Sequence, residues 1–317
     1  MLFTAILTFP VSVASAADFP NKPIRWVLGF GAGGASDILA RSVARGLEKD
    51  LGVQVVVENR PGASGIIAAG VVHEAPKDGY TILLLSNSYF NNVALTDKFD
   101  FDPLNFEPVT EVAATPNIVV VPASSEIMSI QDLIDAAKAA PGKLSYASGG
   151  VGTGTHFGTE LFKTMTDTDI LHIPYKGTQP ALLDLAAGRI DVMFAGASPA
   201  LPLITAKRLR PIAVTSSRPA AVMPDLPPVA ETVPGYEAVT WYAAFAPKGT
   251  PKEVVDRLNG AFKAALSDEQ VVADLEKQAF DAEPTTPEGL AELLATFIQQ
   301  TKETAQKARI TLEATPQ

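Results

Sequence analysis

A chain of 317 residues exceeds what one hydrophobic core usually supports, so two compact lobes are expected. Hydrophobic residues at 47% against 19% charged exclude a disordered chain, and a net charge of -10 without any Lys/Arg cluster excludes nucleic acid and anionic membrane surfaces as partners. With no cysteine, disulfides, thiolate metal sites and cysteine nucleophiles are excluded as well.

Residues 1–17 form an apolar run that closes on Ala14-Ser15-Ala16, the small-residue pattern of a signal-peptidase site, so an exported, periplasmic protein is expected. No Lys or Arg precedes Lys22, so the usual positive n-region is missing. The run falls short of the roughly 20 residues a bilayer span needs, and no direct membrane insertion is expected. A strand at 24–28 then leads through a glycine loop into an amphipathic helix at 36–51, whose Ile38, Leu39, Val43, Leu47 and Leu51 recur at helical spacing. A β-branched run at 53–57, a helix at 65–73 and a buried strand at 80–85 continue the alternation that predicts parallel α/β architecture.

A second series opens at 117–122 and repeats the plan. It gives a helix at 129–140 stopped by Pro141-Gly142, a strand at 144–147, a glycine loop at 148–154 and a helix at 155–165. A strand at 170–174, a helix at 179–187 stopped by Gly188, and a strand at 190–194 follow. Apolar runs at 209–215 and 239–246 flank a proline-rich stretch, 218–234, which reads as a rigid surface crossing where the chain returns to the first lobe. Helices at 251–266, 268–278 and 287–307 would pack there. Lobe one is therefore expected to comprise 18–121 and 240–317, and lobe two 122–239.

Gly29-Phe30-Gly31-Ala32-Gly33-Gly34 satisfies G-x-G-x-x-G between a strand and a helix, with Glu58 after the next strand. That is a dinucleotide fingerprint, and it carries the alternative of an NAD(P)-dependent oxidoreductase using Gly29, Gly31 and Gly34. The same glycines also bare backbone N–H groups at a helix N-terminus, where the dipole favours any anion, a carboxylate included. Ser148-Gly149-Gly150-Val151-Gly152-Thr153-Gly154-Thr155-His156 repeats this in the second lobe with hydroxyl donors added. One phosphate loop suffices for a Rossmann enzyme, whereas a clamshell needs a contact surface on each lid. Tyr175-Lys176-Gly177 follows a strand end, where Lys176 offers charge to a carboxylate or simply sits in a turn. Asp37 and Asp191 can accept from a ligand or cap a turn. The histidines are His73, His156 and His172; a hydrolytic pairing of Ser148 with His156 lacks an orienting acid, and His156 in a first helical turn reads as structural. Neither a metal nor a cofactor is expected.

The segments Lys22-Pro23-Ile24-Arg25, Gly31-Ala32-Gly33-Gly34 with Asp37 and Ala40-Arg41, Val55-Val56-Val57-Glu58-Asn59-Arg60-Pro61-Gly62-Ala63 and Asp78-Gly79-Tyr80-Thr81 occur in this order. Pro141-Gly142-Lys143-Leu144-Ser145-Tyr146, His172-Ile173-Pro174-Tyr175-Lys176-Gly177, Gly188-Arg189-Ile190-Asp191, Ala213-Val214-Thr215 and Ala246-Pro247-Lys248-Gly249-Thr250-Pro251 follow. Together they resemble the Bug-type receptors of tripartite tricarboxylate transporters over nearly the whole mature chain. The resemblance implies a type II-like periplasmic-binding-protein clamshell, two α/β lobes joined by crossing strands. It implies no enzyme but a monomer that captures a small carboxylate (a di- or tricarboxylate, acidic amino acid or aromatic acid) for membrane permease subunits. A sensory ectodomain handing its solute to a signalling partner is a further alternative.

By that resemblance the first-lobe ligand loop is Phe30, Ala32, Gly33, Gly34, Ser36 and Asp37. The second-lobe loop is Ser148, Gly152, Thr153, Gly154, Thr155 and His156, with Tyr175, Lys176 and Asp191 beside it. Specificity falls to the segments around Ser86-Asn87-Ser88 and Ala195 to Ser198. Two departures from the family pattern stand out: Gly29 replaces a common proline before Phe30, and Phe90-Asn91-Asn92 is an unusually polar continuation of the Ser86 loop.

Overall fold

A computed structural model describes residues 19–310 except 97, 176, 221 and 309, so the expected signal segment and Lys176 lie outside the described residues. The first part of the chain runs β1 (Ile24–Leu28), α1 (Ala35–Leu51), β2 (Val55–Asn59), α2 (Ile66–His73), β3 (Thr81–Ser86), α3 (Asn87–Leu95) and β4 (Phe106–Pro122). It continues through α4 (Ile130–Ala139), β5 (Ser145–Ser148), α5 (Gly154–Thr166), β6 (Leu171–Pro174), α6 (Thr178–Ala186), β7 (Val192–Gly196), α7 (Ala197–Thr205) and β8 (Leu209–Val214). The last elements are β9 (Val239–Pro247), α8 (Lys252–Leu266), α9 (Glu269–Glu276), β10 (Asp281–Ala282) and α10 (Pro287–Ala308).

The strands form one mixed sheet in the order β2-β1-β3-β9-β4-β7-β5-β6, with β8 and β10 also on β4. β1 is parallel to β2 and β3, and β5 is parallel to β6 and β7, as βαβ crossovers require. The long antiparallel pair β4 and β9 crosses between these two parallel groups, with β4 pairing β9 along its first part and β7 and β8 along its second. The direction of pairing aims the C-terminal ends of β1 and β3 at those of β5 and β7, with the Thr240↔Thr115 and Val239↔Pro116 pairs between them.

Period-two patterning lets each half of the sheet bury both faces. Trp26, Leu28 and Leu84 meet α1, α8 and α9 through Leu39, Val43, Leu47, Leu258 and Phe262, while Val27, Leu83 and Leu85 meet α2, α3 and α10. Within β4, Val119 and Val121 face Phe162, Tyr146 and Tyr236, whereas Ile118 and Val120 face α6 and α7.

Three expectations need correction. β4 extends back to Phe106, well before the expected start at 117, because an edge-free crossing strand tolerates Pro108 and Pro116 at register irregularities and positions without ladder donation. The Ser86 and Ala195 segments are not loops: helices α3 and α7 start directly at Asn87 and Ala197. The proline-rich stretch 218–234 is not only a surface crossing, since Val229 and Val233, with the nearby Tyr236, are buried against Val119 and Phe194.

Candidate functional site

The first glycine loop leaves β1 under a steric constraint that explains Gly29. A Cβ there would stand 2.5 Å from the Cα of Gly65, so two backbone turns touch where any side chain, proline included, would separate them. Gly33 adopts φ +76°, a left-handed conformation that glycine takes without strain. Buried Asp37 fixes the loop: its Oδ2 accepts from the Gly33 amide at 2.9 Å and its Oδ1 from Arg41 Nε at 3.0 Å. Arg41, helped by the Gly33 amide, holds the Asp37 carboxyl below the usual carboxylate range against the opposing effect of burial. Asp37 is therefore a latch for the loop, with both oxygens engaged. Gly31, Ala32, Gly33 and Gly34 are exposed, Phe30 is half-buried, and Ser36 is buried beside the Tyr242 phenol. Helix α1 begins at Ala35, so the Ala35 and Ser36 amides have no intrahelical acceptor.

The second loop is braced by its own side chains. Gly149 N donates to Thr155 Oγ1 at 3.0 Å, Gly150 N to Ser148 Oγ at 3.1 Å, and Gly152 N to His156 Nδ1 at 3.3 Å. Thr153 caps α5 by accepting from His156 N and donates from its hydroxyl to Gly150 O at 2.7 Å. The amides of Gly154 and Thr155, in the first turn of α5, take no acceptor among the described residues. They are the groups through which the positive end of the α5 dipole is presented.

Behind this loop Tyr146, His172 and His156 stack, with centroids 4.6 and 4.2 Å apart and interplanar angles of 12° and 14°. Ser148 Oγ lies 2.7 Å from His172 Nε2. Tyr146 donates to Glu160 at 2.5 Å, and Lys163 donates to the same carboxylate at 2.8 Å. Burial, followed by Lys163 for His156 and by the neighbouring imidazole for His172, pushes both histidines down to about 4. Both rings are thus neutral near neutral pH, and positive potential at the loop comes from backbone dipoles rather than imidazolium. Ser148 pairs with His172 instead of His156, a contact hidden in the sequence by the separation of 24 residues.

The two groups of parallel strands meet where α5 touches α3 and β9. A Cβ on Gly154 would lie 3.4 Å from Thr240 Oγ1 and 3.9 Å from Asn87 Oδ1, ordinary van der Waals contacts, so the start of α5 sits against β9 and α3 whether or not the residue is glycine. Asn91 Nδ2 donates to Gly152 O at 3.3 Å, and Asn87 Nδ2 donates to Val239 O at 2.9 Å. Buried Asn87 Oδ1 has no partner among the described residues. Ser86 pairs with Tyr242 on the neighbouring strand, and Ser198 occupies the first turn of α7, just after Gly196 pairs with Asn117. Asn92 instead bonds back to Ser88 O within α3. Asn91, Thr240 and Tyr242 were not among the expected site residues; only the polarity of Phe90-Asn91-Asn92 hinted at the first.

Several expected residues are not brought to this junction. Asp191 Oδ2 accepts from both the amide and the hydroxyl of Ser145 at 2.7 Å, at the start of β5, about 10 Å of strand from the Ser148 end. The Tyr175 backbone adjoins the loop through a 3.1 Å bond to Ser148 O, but its hydroxyl donates to Asp184 on α6. Glu58 is clasped by Arg25 and Arg60, and Arg25 above all lowers its carboxyl to about 2, so it is not free to receive a ribose. A cavity of about 730 Å³ lies between α5 and α10; of the expected site residues it touches Asn87 and Gly154.

The family model described as the tripartite tricarboxylate transporter family receptor matches residues 39–311. The protein BugT of Bordetella pertussis is 35% identical over 288 residues, covering 90% of this chain and 86% of BugT. A solved R. palustris protein with adipate is 35% identical, covers 93% of this chain and 99% of its own, and superposes with a TM-score of 0.81. MatC from Rhodopseudomonas palustris with bound malate is 27% identical, covers 90% and 99%, and has a TM-score of 0.75.

Proposed function

The chain belongs to the tripartite tricarboxylate transporter receptor family, a family of solute-binding receptors and not of enzymes, and from that premise we propose that it traps a small dicarboxylate between two lobes. The lobes are 18–121 with 240–317, and 122–239. The observation that carries this reading is the pair of unengaged amides, Gly154 and Thr155, at the α5 N-terminus, next to the Asn87 end of α3. One ligand carboxylate takes these amides, and the α1 terminus at Ala35 and Ser36 serves the other side of the cleft. Adipate and malate, found with two structural relatives, are both dicarboxylates and set the first class to test.

Closure around the ligand uses binding energy for a change of shape, and the closed form is what membrane permease subunits recognise. Export is directed by residues 1–17, and the mature protein acts as a periplasmic monomer. Calorimetric titration of the mature chain with adipate, malate, succinate and citrate tests the reading. Saturable binding by at least one acid is expected; silence across that panel overturns it. Substituting Thr155→Val keeps the amide but removes the hydroxyl that braces Gly149, and should weaken binding at least about tenfold if the α5 terminus is the contact.

A further inference from the structure

The cavity between α5 and α10 has a chemistry opposite to that of the glycine loops. Its floor is the crossing strands at Ala114, Pro116, Val239 and Trp241, and its walls carry Phe157 from α5 and Phe297 from α10. Five carboxylates line it: Glu111, Glu237, Asp281, Glu283 and Glu303. Two cations face them, Arg218, which pairs with Glu283 at 3.1 Å, and Lys307. Glu237 is partly engaged by the Ser217 amide and Glu303 by Gln299, while the carboxylate of half-buried Asp281 has no hydrogen bond or ion pair among the described residues. Glu111 also has no partner for its carboxylate among the described residues and is the more deeply buried of the two, 7% exposed, although its backbone amide bonds Thr285. Asn87 borders the same space, and its buried Oδ1 has no partner among the described residues.

A buried carboxylate beside a second carboxylate is unfavourable, and desolvation followed by Glu283 raises the Glu111 carboxyl to about 7. Another anion entering here would add to that repulsion. A cation with N–H donors relieves it and lies among the aromatic rings of Phe157, Phe297 and Trp241. A metal ion is a poor match, since no group of three or more ligating side chains is assembled among the described residues. We infer that this groove is a second binding site, bordering the second glycine loop at Gly154, that takes an organic amine on an apolar body with its ammonium at Glu111. The walls come from α5, in residues 122–239, and α10, in residues 240–317, so an occupant spans the two lobes proposed to close.

The test is calorimetric titration of the mature chain with phenethylammonium, and with 3-phenylpropionate as an anion of matched size and apolar body. Saturable binding of the amine is expected, weakened at least about tenfold by Glu111→Gln, the change expected for loss of one charge-assisted bond. Thr304→Trp, which fills the groove from α10 without removing a charge, should have the same effect. No saturable amine binding to the wild type overturns the inference, and so does unchanged affinity in Glu111→Gln. If that variant does not fold, Thr304→Trp decides alone, retained amine affinity overturning the inference. The anion binding with Glu111 dependence would also overturn it. Thr155→Val separates the two sites, because it should weaken dicarboxylate binding at least about tenfold and leave amine binding intact. Amine binding without any dicarboxylate binding therefore sinks the proposed function alone, and the converse sinks only the second site.

Discussion

Substituting Glu111→Gln should stabilise the protein increasingly as pH rises. The Glu111 carboxyl is raised from its ordinary value of 4.5 to about 7, burial being the larger cause and Glu283 the smaller. A raised acid binds more protons folded than unfolded between those values, so its contribution to stability falls across pH 4.5 to 7 and stays at its least favourable above 7. At 1.36 kcal/mol per pH unit, the cost at pH 8 is ~3 kcal/mol, an upper bound because Glu111 lines a solvent-connected groove. Glutamine keeps the shape and cannot ionise. The variant should match wild type near pH 4 and exceed it at pH 8 by a Tm difference on the order of 6 °C for a chain of this size. Calorimetric or fluorescence melts of both proteins from pH 4 to 8 measure this directly. The difference between the two curves isolates Glu111 from the buried histidines, whose depressed values pull the other way, since their contribution is lost as pH falls from 6.5 towards 4. A pH-independent offset, or a variant less stable than wild type at pH 8, would refute the reasoning.

Thr155→Val leaves Gly149 N without its acceptor and removes the Thr153 hydroxyl contact, so it should cost ~1–2 kcal/mol of stability and at least about tenfold in dicarboxylate affinity, read by melts and calorimetry. Unchanged affinity removes Thr155 from the site. Gly29→Ala forces apart two backbone segments 2.5 Å from the added carbon and should destabilise by ~1–3 kcal/mol or more; a neutral effect in a denaturant titration would contradict that close approach. Because His156 and His172 are neutral well below pH 6.5, dicarboxylate affinity should be flat between pH 6 and 8. A steep rise in affinity on acidification through 6.5 would mean that an imidazolium supplies the charge instead.

The parallel βαβ units were legible because helix and strand periods are local properties of the chain. Residues 36–51 showed the amphipathic stripe and 155–165 followed a glycine loop, and α1 and α5 match these expected helices to within a residue or so. Both glycine loops were legible for the same reason. What pattern reading missed depends on partners distant in sequence. The first part of β4 carries Glu107, Thr110 and Glu111, which look like surface until β9 and α8 cover them; Asn259 of α8 bonds Val109 O. Helix α3 was obscured by three asparagines, of which Asn91 is buried because it reaches across to Gly152. Asp191 looked poised at a loop edge, but its edge is the other end of the strand. No local signal places His172 between Tyr146 and His156, because β5, β6 and α5 meet only in the folded sheet.

An acidic protein that binds an acid must separate its own charges from its ligand, and the arrangement of partners shows how this one does so. At the glycine loops each nearby carboxylate is already neutralised: Asp37 by Arg41 and the Gly33 amide, Glu58 by Arg25 and Arg60. Glu160, behind the second loop, is held by Tyr146 and Lys163. What remains open there is the partial positive charge of helix N-termini, a short-range field that needs no mobile cation and is little screened once the cleft closes. The α5–α10 groove holds Glu111, a buried carboxylate with no ion-pair partner among the described residues. The helix α5 stands between these regions, presenting amides at its first turn and Phe157 and Gly158 to the groove. Ligands of opposite sign are thereby sorted to two regions that adjoin at Gly154, and the net charge of -10 acts mainly on the rate at which an anion approaches, not on where it is held.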